Sequence, residues 1–356
     1  MKTMKIKSII NLTIVAFLGI SNVAAQDIHF SQFHASPLNL NPAITGVMSC
    51  DMRISTIYRN QWASALGGKA FNTFSAGVEG KFFAGDKGDY YGLGLNLWAD
   101  KAGTSRLSSI QGSLSASYLK KIGGRRSNNH YLVAGAQLGV SQRSLSVLEL
   151  QFGSQWDGST FNSTLSTLED LANTRLTYAD LNAGILWFSS LDKDNKSNFY
   201  AGVSFNHLTK ANISHDLLGA DILYTKISAH AGGEFRLGQR ARIALVPAIA
   251  TYFQGPSFEL NAGTGFKFDF SKKSKSSQAF QVGAFTRMAS IEGGMSVDAI
   301  VTMIRLRFGS SHFGLSYDIN TSRMIAATRG NGAFEVSYVY TLCGVRGGRP
   351  MSCPTF

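Results

Sequence analysis

Long runs in which apolar side chains alternate with small or polar ones constrain this chain more than any other feature. Tyr91-Gly92-Leu93-Gly94-Leu95-Asn96-Leu97 alternates apolar residues with glycine and asparagine. From Ile110, one face reads Ile110, Gly112, Leu114, Ala116, Tyr118 and the other Gln111, Ser113, Ser115, Ser117. Phe313, Leu315, Tyr317 and Ile319 alternate with Gly314, Ser316, Asp318 and Asn320, and Phe334, Val336, Tyr338, Tyr340 and Leu342 with Glu335, Ser337, Val339 and Thr341. A period of two is the signature of strands, not helices. Fourteen such segments are expected, at roughly 51–61, 70–84, 90–100, 105–122, 129–143, 176–189, 198–208, 225–237, 241–253, 258–269, 278–288, 298–308, 312–321 and 332–343.

Alternation alone fits a water-soluble sandwich or a membrane barrel. The segments run about 10–15 residues, the length a tilted strand needs to cross a bilayer, whereas soluble strands average roughly 5–6. Their polar faces are small and carry few charges, as a crowded lumen requires. Tyr58, Trp62, Tyr90, Trp98, Tyr118, Trp187 and Tyr252 lie near segment ends, where interfacial belts belong. Of 356 residues 44% are apolar and only 16% charged, against about a quarter charged in soluble domains. With 24 Phe, 12 Tyr and 4 Trp disorder is excluded, and no apolar run is long enough for a membrane helix. The expected fold is an all-β, antiparallel transmembrane barrel of about 14 strands with long extracellular loops.

An even strand number returns both chain ends to one side. The connections 85–89, 123–128, 190–197, 238–240, 270–277 and 309–311 are short and fall on that periplasmic side, while the longest, 144–175 and 209–224, fall outside. Closure follows from the solvent: in hydrocarbon every backbone N–H and C=O must pair within the protein, which an edgeless barrel achieves. A barrel this wide leaves a channel, a cavity or a plugged space. Glu79, Lys81, Lys226, Glu234, Arg236, Glu259, Lys267, Asp269, Arg305, Arg307, Asp318 and Glu335 are the expected lumen-facing charges, pairing across the lumen or lining a path.

The first 25 residues read as a secretory signal peptide. Lys2, Lys5 and Lys7 precede the apolar stretch Ile9 to Ile20, and Val23-Ala24-Ala25 supplies the small-residue cleavage pattern. In the segment that follows, 26–49, Pro37 and Pro42 cannot donate to a ladder, and Asn39, Asn41 and Thr45-Gly46 favour turns. This stretch is therefore expected to be compact and strand-free, either a periplasmic plug or a partner surface, with Phe30, Phe33, Leu38 and Leu40 as its apolar anchors. The barrel proper spans 50–343 and a periplasmic tail 344–356.

The three cysteines, Cys50, Cys343 and Cys353, fall at the periplasmic rim of an oxidising compartment. A bridge from Cys50 to Cys343 would staple the seam and one to Cys353 would tie down the tail; the second is favoured here. The net charge of +12 is scattered, and Lys272-Lys273-Ser274-Lys275 reads as a solvated turn, so acidic lipids, polysaccharides or proteins suit it better than nucleic acid. The histidines 29, 34, 130, 207, 215, 230 and 312 show no metal-ligand spacing. Gly67-Gly68-Lys69-Ala70 lacks the rest of a phosphate loop. His207 and Asn206 are neighbours on a strand and point to opposite faces, which argues against a barrel hydrolase. No catalytic residue, cofactor or metal is expected.

The segment Gln26-Asp27-Ile28-His29-Phe30-Ser31-Gln32-Phe33, followed by Ser36-Pro37-Leu38-Asn39-Leu40-Asn41-Pro42-Ala43-Ile44-Thr45-Gly46, resembles the opening of the PorP/SprF family of Bacteroidetes. Tyr58-Arg59-Asn60-Gln61-Trp62, Gly202-Val203-Ser204-Phe205-Asn206-His207-Leu208, Ser316-Tyr317-Asp318-Ile319-Asn320-Thr321-Ser322, the run Gly332 to Tyr340 and Cys353-Pro354 extend the resemblance along the chain. It implies a non-enzymatic outer-membrane barrel working with the type IX secretion machinery. Some members serve secretion and gliding, and others export or anchor one large adhesin-like client. The expected client contacts are in the long loops, at Phe152, Trp156, Phe161, Leu217 and Leu218, where the competing expectation is that the aromatics pack on one another. A passive channel for lipids or small hydrophobic solutes is the alternative function.

Overall fold

The computed structural model describes residues 27–84, 89–103, 105–125, 128–146, 150–168, 174–191, 197–215, 219–238, 242–270, 278–291, 294–344 and 353–354. The leader, Leu217, Leu218, the lysine-rich turn 272–275 and most of the tail lie outside them.

The alternating runs form β1 (Met52–Gln61), β2 (Phe71–Phe83), β3 (Tyr90–Ala102), β4 (Leu107–Arg125) and β5 (Asn128–Ser144). They continue as β6 (Arg175–Ser190), β7 (Asn198–Asn206), β8 (Lys226–Arg236), β9 (Ile243–Leu245) and β10 (Ala248–Gln254). The chain closes with β11 (Ser257–Asp269), β12 (Gln278–Ile291), β13 (Gly294–Phe308), β14 (Ser311–Asn320) and β15 (Asn331–Leu342). β9 and β10 share one place in the wall, both between β8 and β11, so the barrel has the expected fourteen positions. The interruption is Val246-Pro247, where proline has no N–H for the ladder. The wall stays bonded around it, because Val246 N–H donates to Gly265 O (2.8 Å) and Gly233 N–H to Pro247 O (3.1 Å).

Apart from β9 and β10, which pair with β8 and β11 and not with each other, each strand pairs antiparallel with its sequence neighbours, and β1 pairs with β15 over ten residues, from Met52↔Leu342 to Gln61↔Ala333. No edge is left. Immediately past the first of these pairs a disulfide joins Cys50 to Cys343. This corrects the favoured Cys50–Cys353 pairing: the seam register puts Cys343 next to Leu342, opposite the start of β1, whereas Cys353 is a buried free thiol. Cys353 still returns to the same rim, its N–H donating to Ser49 Oγ (3.3 Å).

The molecule is apolar outside and polar inside. Leu114 is 64% exposed, Leu138 59% and Val140 60%, while Ser113, Ser115, Gln137 and Ser141 on the other face of the same strands are buried. Such a belt would be an aggregation surface in water; in lipid it matches its solvent. Among the described residues no helix is long and apolar enough to cross a membrane.

Candidate functional site

The lumen is filled by the segment that precedes β1. Residues Phe33–Ala35 and Pro42–Ile44 form 3-10 turns flanking one α-turn, Pro37–Leu40. Proline opens the second and third, where its missing N–H costs nothing. Asn41 accepts the Ala43 N–H at 2.8 Å, capping the last turn. Gly46 then reverses the chain at φ 73°, a left-handed value that glycine adopts without penalty.

This segment is packed as a core. Gln32, Ala43, Ile44 and Val47 have no measurable exposure. Phe33, Leu40, Ile44 and Val47 lie in one cluster with wall residues Tyr131, Leu186, Phe188, Tyr200 and Phe285, Phe33 meeting Phe285 edge-on at 6.1 Å between ring centres. At about 1.5–3 kcal/mol for each large apolar side chain, exposing those four would cost roughly 6–12 kcal/mol, too much for a loosely seated tail. The wall makes room with glycine. A Cβ on Gly135 would sit 2.5 Å from the Ala43 nitrogen, and one on Gly184 would overlap the Asn41 amide. That amide donates to two wall carbonyls, Ile185 O and Val203 O, both at 3.2 Å.

Phe30, Phe33, Leu38 and Leu40 are therefore buried inside the barrel and do not offer a partner surface. In the long loop, Phe152 is half-buried and Trp156 exposed; Trp156 pairs with Phe161 through a β-bridge and an edge-on ring contact at 6.1 Å.

Ion pairs fasten the plug at three places. At the seam, Glu335 accepts Ser31 N–H (2.7 Å) and Gln32 N–H (2.9 Å) through its two oxygens while pairing with Arg59 at 2.5 Å. Beside it, Asp318 binds Arg59 (3.0 Å), Arg287 (2.8 Å) and the Ser31 hydroxyl (2.8 Å). Near the disulfide rim, Glu79 pairs with Arg53 (2.8 Å) and accepts the Gly46 N–H (2.7 Å), and Lys81 donates to Met48 O (2.9 Å). On the opposite wall, Asp27 pairs with Lys226 (3.1 Å) and with His207 Nε2 (3.3 Å), whose Nδ1 meets Asp180 (3.0 Å). Glu259 lies 3.7 Å from His29. Farther along the wall Lys267 pairs with Glu234 (2.8 Å) and Arg236 with Asp269 (2.6 Å), leaving Arg305 and Arg307 without a carboxylate among the described residues.

His207, just past the end of β7, holds a left-handed backbone (φ 60°). Asn182 secures that strained turn by accepting the His207 N–H at 2.9 Å. Burial opposes an imidazolium here, but the hydrogen bonds and charges of Asp180 and Asp27 outweigh it and push His207 up to about 9. For Asp27, burial alone would raise the carboxyl; Lys226 and His207 reverse this and hold it below the ordinary carboxylate range. Burial, with Arg59, Arg287 and Lys226 nearby, outweighs Glu259 and takes His29 down to about 4, and burial beside Arg305 keeps His34 well below its usual value.

Of these groups, Glu79, Asp318 and Glu335 are among the expected lumen-facing charges, and Arg53, Arg59, Arg287, Asp180 and His207 are not. Parity would have found most of them, since Arg53 and Arg59 share the odd-numbered face of β1 with buried Ser55 and Ile57. Among the described residues no group of His, Cys, Asp and Glu is arranged to hold a metal ion.

A family model described as type IX secretion system membrane protein PorP/SprF matches residues 22–340. No curated protein is significantly similar in sequence. Among solved structures, the Ralstonia pickettii toluene transporter TbuX matches with a TM-score of 0.46 at 8% identity, over 86% of this chain and 94% of that one. The TodX monoaromatic hydrocarbon channel gives 0.44 at 11%, over 86% and 94%. CdiB from Acinetobacter baumannii gives 0.44 at 8%, over 82% of this chain; the match spans only 60% of CdiB.

Proposed function

Because the chain belongs to the PorP/SprF family of type IX secretion system membrane proteins, we propose that it supports export or surface attachment of a large adhesin-like client as a non-catalytic accessory in the outer membrane. The client is held at the long loops of the far rim and does not pass through this barrel. One observation carries the reading: Asp27–Met48 occupies the lumen and is bonded to the wall at the seam, the disulfide rim and the β7–β8 side. A lumen occupied by so deeply buried a segment has no room for an unfolded polypeptide, so the surfaces left for a partner are the rims. The chain's partners are then outer-membrane lipid around the belt, secretion components at the rim where both ends of the barrel meet, and the client opposite.

Deletion of the gene, with surface proteins compared by mass spectrometry and uptake of hydrophobic solutes measured in parallel, tests this. Loss of one or a few large surface proteins with unchanged uptake is expected. An unchanged surface with impaired uptake of hydrophobic solutes would favour a passive channel and contradict the proposal.

A further inference from the structure

Arg305 and Arg307, two residues apart on the inward face of β13, have no carboxylate partner among the described residues once the plug's ion pairs are assigned. Lys267, Gln281 and Arg305 stand in one row across β11, β12 and β13, and Arg307 and His312 are cross-strand partners in the next row across β13 and β14. Directly opposed residues in such a ladder lie about 4.5–5.5 Å apart, so these five side chains form one patch. They line a cavity of about 30 Å³ toward the rim that carries the disulfide. Lys267 is neutralised by Glu234, which it meets through both carboxylate oxygens at 2.8 Å. Arg305 and Arg307 are half-buried and have no hydrogen-bond or ion-pair partner among the described residues, and Arg307 Nε is buried without an acceptor. Guanidinium groups partly withdrawn from water and left unpaired are costly. The wall keeps two side by side.

We propose that this pocket binds the phosphate group of a phosphate-bearing molecule entering from that rim. Two unneutralised guanidinium forks, with amide and imidazole donors beside them, suit a tetrahedral oxyanion carrying about −1.5 to −2 charge. A carboxylate, with one charge and two oxygens, would leave one arginine unmatched. At about 30 Å³, roughly one water's share of liquid volume, the cavity seats an oxygen of the oxyanion between the arginines and leaves the remainder of the molecule outside it. Free phosphate and the headgroup of a phosphate lipid present the same chemistry to it.

The test is calorimetric titration of the full chain, folded in detergent in phosphate-free buffer, with inorganic phosphate and separately with monomeric dihexanoyl phosphatidic acid. One site per chain is expected, weakened at least tenfold in Arg305→Gln/Arg307→Gln and unchanged in Arg242→Gln, an exposed arginine at the same rim. Affinity for the lipid tenfold or more above that for phosphate identifies a headgroup site, and equal or weaker affinity identifies a free-phosphate site. Absence of saturable binding of both probes to the unsubstituted chain overturns the proposal, as does equal binding by a double variant that retains heat-modifiable migration. Should the double variant not fold, the titration of the unsubstituted chain decides alone.

Discussion

Arg59 and Glu335 are cross-strand partners on the two terminal strands, β1 and β15, and their side chains pair inside the lumen at 2.5 Å. The same Glu335 carboxylate receives the backbone N–H groups of Ser31 and Gln32. One ion pair thus bridges the seam of the cylinder and fixes the segment that fills it, so closure and plugging are mechanically coupled.

Arg59→Ala should be strongly destabilising. It leaves Glu335 and Asp318, both without measurable exposure, short of their shared cation, and removing one partner of a buried pair costs about 3–5 kcal/mol. Urea unfolding in detergent, followed by the loss of heat-modifiable migration, should show a lower midpoint. Arg329→Ala, at a far-rim turn, should leave the midpoint nearly unchanged.

Stability should depend on pH through His207. Its folded value, about 9, lies above the ordinary value of about 6.5, so its contribution is complete below about 6.5 and disappears as pH rises through 9. Asp27 acts in the opposite direction. Its lowered carboxyl contributes above about 4 and loses that contribution on acidification. The urea midpoint should fall between pH 6 and pH 10, and fall less in His207→Asn, whose side chain tolerates the left-handed backbone.

Peptide mapping without reduction should recover Cys50 linked to Cys343 and Cys353 as a free thiol. Reduction should lower the unfolding midpoint by an amount in the usual range for a structural disulfide, about 2–4 kcal/mol. Cys353→Ser should leave that reduction-dependent shift intact.

Gly135→Val places a side chain where the Ala43 backbone lies. The plug must then move away from β5, and overpacking of this kind costs about 1–3 kcal/mol or more. Faster proteolysis within residues 27–48 of the folded barrel is expected, with the β-sheet circular dichroism signal retained.

The wall was legible because period-2 alternation is set by solvent on both faces; Leu93, Leu95 and Leu97 could face only lipid once Gly92, Gly94 and Asn96 faced inward. Strand ends came within a few residues because each turn ends a run of alternation. The break at Pro247 was hidden by its flanking apolar residues, Ala244 to Val246 and Ala248 to Ala250, which continue the pattern across it. The depth of the plug was not legible. Ser31, Gln32 and Asn41 look like loop residues, and their burial follows mostly from partners 144 to 305 positions away. The cysteine pairing failed for a similar reason: Cys343 and Cys353 are equivalent on the line, and only the register Met52↔Leu342 separates them.

Whether the segment before β1 closes the lumen is decided by single-channel recording in planar bilayers, comparing the full chain with one in which residues 30–46 are replaced by a short Gly-Ser linker. A silent full chain is expected, with large, stable conductance steps from the linker variant. Steps of equal size from both proteins would contradict closure by that segment.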